Sequence, residues 1–151
     1  DSFYMATVSE NGWPYIQHRG GPAGFLKVLD SRTLAFADFR GNRQYISVGN
    51  IKHDDRVSLF LMDYPRQGRL KILGRMHEVD LADDPKLAEA LAMPGYKAKV
   101  ERALVIKVEA FDWNCPQHIT QRFTLAEIEP AVSSLRARIA ELEQELAEKA
   151  A

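Results

Sequence analysis

Residues 56–79 read RVSLFLMD, then YPRQG, then RLKILGRMHEV. The two outer runs alternate with a period of two, and the short stretch between them carries the proline and glycine of a turn. In the second run, alternation sets Leu70, Ile72 and Met76 on one face and Arg69, Lys71, Arg75 and His77 on the other. That is the signature of an antiparallel pair with one face in a core. Upstream the same pattern repeats. Phe3, Met5 and Thr7 alternate with Tyr4, Ala6 and Val8, and Glu10-Asn11-Gly12 supplies a hairpin turn before a second strand at 14–19. Further strands are expected at 25–29 and 33–39, and downstream at 103–113 (ALVIKVEAFDW). Short, closely spaced strands of this kind predict an antiparallel sandwich or barrel rather than a βαβ fold.

Helices are the minority until the end of the chain. Residues 43–51 predict a short one, with Tyr45, Val48 and Ile51 about one turn apart. Residues 85–92 predict another, with an aspartate before Pro85 as its cap and Pro94-Gly95 as its stop. Thr124 to Glu127 matches a capping box. Pro130 then fits the first residue of a longer helix. Beyond it, Val132, Leu135, Ile139, Leu142 and Leu146 make an apolar a/d stripe of about two heptads, suited either to packing on the chain's own sheet or to a dimer seam. One domain over 1–123 with a helical tail over 124–151 is expected.

Composition narrows the function classes. The 151 residues are 46% hydrophobic and 27% charged, with a net charge of −1. The balance argues against a protein built to coat nucleic acid or anionic membrane. No apolar run approaches the roughly 20 residues that cross a bilayer. A single cysteine, Cys115, excludes an intrachain disulfide and multi-cysteine zinc patterns, so a reducing, cytoplasmic setting is expected. His18, His53, His77 and His118 lack the paired spacing of a metal site, and no metal is expected. The chain opens at Asp1 straight into a strand-like run, so residues upstream of it are expected to have been cleaved or to be missing.

Four clusters carry candidate chemistry. Arg69, Lys71, Arg75 and His77 share a strand face, either as a solvated surface or as an anion site. Asp38-Phe39-Arg40-Gly41-Asn42-Arg43 lies where a strand gives way to a helix. Arginine forks, an amide and helix N–H groups there suit a phosphate, although Asn42 also reads as a plain N-cap. His18-Arg19-Gly20-Gly21 ends a strand with glycines that permit close approach to a flat ligand or simply make a bend. Asp112 to His118, followed by Arg122, offers an aromatic face and many donors. Cys115 has no identifiable base partner and is not expected to act as a nucleophile.

The segments YIQHRGG (15–21), GFLKVLD (24–30), TLAFADFRGNRQYIS (33–47), NIKHDDRVSLFLMDYP (50–65), RLKILGR (69–75) and DWNCPQHITQRF (112–123) together resemble the FMN-binding split β-barrel proteins related to pyridoxamine 5'-phosphate oxidase. The resemblance spans residues 2–123. It implies a mainly β fold, a six- to eight-stranded antiparallel split barrel with short flanking helices and a C-terminal helix. It also implies a homodimer with FMN at the interface. On that reading His18 and Arg19 line the flavin, and the junction of Asp38, Arg40, Asn42 and Arg43 grips the phosphate. Arg69 and Lys71 add charge, and Trp113, Gln117, His118 and Arg122 close the site from the partner subunit. His18 and His118 are the candidates for a proton relay, with no catalytic residue assigned. The chain departs from the family pattern at Gly41-Asn42-Arg43, where the oxidases carry a Ser/Thr-rich Arg-Lys signature, and it lacks their late substrate-binding arrangement. The resemblance therefore implies a flavin oxidoreductase of unknown small-molecule substrate. The alternatives are a module that stores or senses FMN without turnover, and a relative that holds F420 or haem on the same scaffold.

Overall fold

A computed structural model describes residues 1–41, 43–113 and 116–150. Seven strands form one antiparallel sheet: β1 (Ser2–Val8), β2 (Pro14–Gly20), β3 (Lys27–Asp30), β4 (Thr33–Phe39), β5 (Arg56–Asp63), β6 (Gly68–Val79) and β7 (Val100–Trp113). Three helices accompany them, α1 (Ile46–Asn50), α2 (Pro85–Leu91) and α3 (Leu125–Ala150). The strand order is β2-β1-β5-β6-β7-β4-β3.

The expectation of a barrel is overturned here. The two edge strands, β2 and β3, each have a ladder neighbour on one side only, so the sheet does not close. Closure would require β3 to pair with β2. β3 is only four residues long and its pairing with β4 is irregular between Val28 and Asp30. The sheet instead rolls upon itself, and side chains meet across the open seam. Phe3 of β1 stacks on Phe25 with ring centroids 5.6 Å apart and meets Phe36 of β4 edge-on at 5.3 Å. The inner face so formed buries Met5, Leu59, Ile72, Met76, Leu104 and Ile106.

The β6–β7 register shifts between Leu73 and Gly74. A Cβ at Gly74 would lie 2.5 Å from the carbonyl oxygen of Lys107. Only glycine allows that approach. On the outer face, α2 covers one end of β4 and β7, where Ala35, Ala37, Ala103 and Val105 leave room for Leu87 and Leu91. Asp84 caps this helix by accepting from the Leu87 N–H (2.9 Å), with Pro85 in the first turn, as its sequence predicts.

Two helix starts differ from expectation. α1 begins at Ile46, because Tyr45 takes a left-handed conformation (φ 53°) that interrupts the turn before it. α3 begins at Leu125, and Pro130 lies inside it instead of opening it. The capping box does form: the Thr124 N–H donates to Glu127 Oε2 (2.7 Å), and the Glu127 N–H donates back to Thr124 Oγ1 (3.3 Å). With the N-terminal donors satisfied five residues before the proline, the helix is already nucleated when it reaches it.

Candidate functional site

The sequence-predicted residues fall into two groups at opposite ends of the sheet. In the β4–β7 register Asp38 faces Arg102, and in the β6–β7 register Lys71 faces Asp112, ten residues further along β7. At about 3.3 Å per residue, that is roughly 30 Å of strand. The separation holds for the β6–β7 residues; on β2 the groups meet, since His18 and its neighbour Arg19 both line a cleft at the junction.

The first group gathers around the end of β4. Arg19 Nη1 donates to Asp38 Oδ1 at 2.7 Å across the open seam, with side chains 13% and 7% exposed. The Arg19 guanidinium also sits over the Phe36 ring, 5.8 Å from its centroid. Arg40 Nε donates to Glu101 Oε1 (2.8 Å), and the Tyr45 hydroxyl donates to the same oxygen (3.1 Å). Arg102 Nη1 donates to Glu78 Oε2 (2.8 Å), and its Nε lies 3.6 Å from Asp38 Oδ2. Arg43 is exposed beside Tyr45, whose hydrogen bond, helped by the charge of Glu101, raises the guanidinium above its ordinary value. The junction is thus a network in which carboxylates already answer the arginines. Small clefts of about 40 and 180 Å³ open here, sharing Gln17, Arg19, Phe39 and Gly41 as walls. Asn42 and Cys115 lie outside the described residues.

The second group lies on the outer face. Registers place His18, Tyr4, Phe60, Lys71 and Asp112 directly opposite one another in one row across β2, β1, β5, β6 and β7. Tyr4 and Phe60 are exposed aromatics in this row, at 45% and 39%. Arg69 stands over the Phe60 ring at 5.8 Å. Arg69 and Lys71 reach Asp112 at 3.1 and 3.5 Å, so an exposed carboxylate offsets the cationic face. Trp113 is exposed at the end of β7, opposite Leu70.

The late segment folds back onto the β5–β6 turn of its own chain. Gln67 Nε2 donates to the Ile119 carbonyl (2.6 Å), and Gln121 Nε2 donates to that of Pro65 (2.8 Å). Arg122 lies over the Tyr64 ring at 4.9 Å. Gln117 and His118 are exposed on a 3-10 turn, Pro116–His118. Between this segment and the aromatic row opens a cleft of about 660 Å³, walled by Tyr4, Phe60, Met62, Tyr64, Arg122 and Phe123 among others. That volume is in the range that takes a cofactor-sized molecule.

Sequence reasoning missed Glu101, Tyr4 and Phe60. A β7 strand read three residues longer would have included Glu101 and Arg102, although their place opposite β4 follows only from the register. Phe60 could have been found from alternation, as an aromatic on the polar face of β5, with Arg56 and Ser58.

The acidic arm of the junction makes a pH prediction. Hydrogen bonding from Arg40, then from Tyr45, holds the Glu101 carboxyl below its ordinary value of 4.5, and Arg102, then Lys52, does the same for Glu78. A carboxyl depressed in the folded state stabilises the fold above its unfolded pKa, and that stabilisation is lost as pH falls below about 4.5. Urea midpoints should therefore drop between pH 5 and pH 3, and Glu101→Gln should drop less steeply over that window. Parallel curves would show that Glu101 carries none of the dependence.

The antiparallel sheet, rolled over one apolar face, thus carries a cleft with aromatic walls in which Arg66 and Arg122 stand beside the carboxylates of Asp63 and Glu127. The chain belongs to the pyridoxamine 5'-phosphate oxidase family, whose profile matches residues 1–115. Among solved structures it is similar to HupZ of Group A Streptococcus, with 18% identity, 81% of this chain and 90% of that chain covered, and a TM-score of 0.53. It is also similar to an FMN-binding protein of Syntrophomonas wolfei (16% identity, 75% and 76% covered, TM-score 0.53). A third similar structure is a Clostridium acetobutylicum protein related to general stress protein 26 of B. subtilis, of the pyridoxinephosphate oxidase family (18% identity, 84% and 87% covered, TM-score 0.53). At these identities the likeness is one of fold. No curated protein matches the chain. No helix among the described residues is long and apolar enough to cross a membrane.

Proposed function

We propose that the protein binds FMN and works as a flavin-dependent oxidoreductase on a small molecule. The observation that carries this reading is the 660 Å³ cleft, with Tyr4 and Phe60 as an aromatic floor and Arg122 in its wall. Family membership and the fold shared with an FMN-binding protein support it. The donor set fits the cofactor. Beside the cleft on the same face, Arg69, which stands over Phe60, and Lys71 would supply charge for a phosphate, which would compete for them with an exposed carboxylate that water already solvates. Tyr4 and Phe60 offer a flat apolar surface to the ring, and His18 and Arg122 lie at its two margins.

When bound, FMN supplies hydride and electron transfer. The chain's own residues would place the ring on Tyr4 and Phe60 and exclude water from one face. His18 is exposed beside Tyr4, with ring centroids 5.7 Å apart, and is placed to exchange a proton with solvent. The Arg40 and Arg43 junction joins such a site from a second copy. The reading therefore includes a homodimer packed through the outer face, where Ile16 and Leu73 are also exposed (66% and 52%).

Titration of the purified protein with FMN, followed by flavin fluorescence and absorbance, should show saturable binding at micromolar concentrations. Absence of binding there overturns the proposal. Bleaching of the bound flavin by NADH or NADPH separates an oxidoreductase from a protein that only stores the cofactor.

A further inference from the structure

α3 is a helix with no interior. Its described side chains are exposed throughout, apart from a half-buried Val132. Leu125, Ile128, Leu135, Ile139, Leu142 and Leu146 are 81, 38, 66, 55, 40 and 67% exposed. Helices in folded proteins draw most of their stability from packing an apolar face, and this one leaves its stripe in water. Because the helix starts at Leu125, the stripe is longer than the sequence beyond Pro130 suggests. It runs Leu125, Ile128, Val132, Leu135, Ile139, Leu142, Leu146, in steps of three and four over three heptads. Pro130 falls on the side away from the stripe, so its ring costs the seam nothing.

We infer that α3 pairs with α3 of a second copy as a parallel, in-register, two-stranded coiled coil. Three features select this partner. Of the a positions Leu125, Val132, Ile139 and Leu146, the two central ones are β-branched and each is followed by leucine at d (Leu135 and Leu142), the pattern that favours two parallel strands. In parallel register, Arg138 at g faces Glu143 at e of the other helix, once on each side of the seam. Antiparallel registers conflict with the sequence. The one that keeps every central layer apolar sets Arg136 against Arg136 and Arg138 against Arg138 of the second copy. Shifting by one heptad in one direction relieves those clashes but forces Lys149 into the layer of Val132, and shifting in the other leaves Leu146 without a partner layer and shortens the seam, whereas the parallel register keeps every apolar layer and brings Lys149 to its own copy only at the frayed last turn. Like charges and a buried lysine are the usual devices by which a coil rejects an orientation. The seam is also continuous with the cleft, since Thr124 and Glu127, at the start of α3, line it.

The inference is independent of flavin binding. Leu135→Cys and Leu146→Cys, each made in a full-length Cys115→Ser background, should both form interchain disulfides in high yield under mild oxidation. Parallel pairing brings each residue opposite its own copy, within reach of a disulfide. No antiparallel register brings both pairs together. Gln144→Cys, on the outward side, should stay monomeric under the same conditions. Lack of a cross-link at either 135 or 146, or equal cross-linking at 144, overturns the inference. FMN titration of the same samples reads the flavin proposal separately, because cross-linking does not depend on it.

Discussion

Asp38→Ala should destabilise the protein by about 3–5 kcal/mol, the cost of leaving a buried charge without its partner. Asp38 is one of the few buried polar side chains, and Arg19 reaches it from a strand that is not its ladder neighbour. Without Asp38, the Arg19 and Arg102 guanidiniums would face one another with no carboxylate between them. The buried Nε of Arg19 already lacks a hydrogen-bond partner among the described residues. The loss falls on the open seam, where no ladder hydrogen bonds join β2 to β4. With stability of about 5–15 kcal/mol in all, such a variant would be marginal. Urea unfolding should show a midpoint lowered by more than about 1 M, given slopes of roughly 1–3 kcal/mol per molar. Arg19→Met with Asp38→Leu, which removes both charges and keeps the volume, should recover most of that loss. A single Asp38→Ala variant within 1 kcal/mol of the parent would mean that the seam is held by its aromatic rings alone.

How far the sequence could be read depended on the range of the interactions. β5 and β6 declare themselves because alternation is local, and Ile72 and Met76 are buried while Lys71 and Arg75 are exposed, as the pattern requires. α2 is legible from Asp84-Pro85 and the capping box from Thr124 and Glu127, again from neighbours in the chain. Failure to close the sheet is not legible. It depends on whether β3 meets β2, an encounter decided by a four-residue strand and an irregular ladder. The start of α1 was misjudged for a different reason. A tyrosine rarely adopts positive φ, and nothing in its residue type announces that Tyr45 will. The site was half legible. Its cations were found, but their separation along β7 follows from strand register, which single-chain periodicity does not supply.

The cationic row yields the largest expected effect on function. Arg69→Ala combined with Lys71→Ala should weaken FMN binding by about 3 kcal/mol or more, at roughly 1.5–3 kcal/mol for each charge-assisted contact. That is a loss of more than about 100-fold in affinity. The fold should tolerate the change, because the two side chains project from the outer face and their tie to an exposed Asp112 is a surface ion pair of small worth. The urea midpoint should therefore move little while the flavin titration shifts far to the right. Charge is the quantity under test, so Arg69→Lys with Lys71→Arg should retain a good part of the affinity. Added salt should weaken the parent's binding more than the double variant's, since screening acts on the charges the variant lacks. Arg43→Ala, titrated alongside, reads the other end of the sheet. If a second copy completes the site, it too should lose binding, by about 1.5–3 kcal/mol, and only in the dimer. Loss in Arg43→Ala with none in the Arg69/Lys71 variant would move the phosphate to the β4–α1 junction and leave the outer face to hold the ring alone.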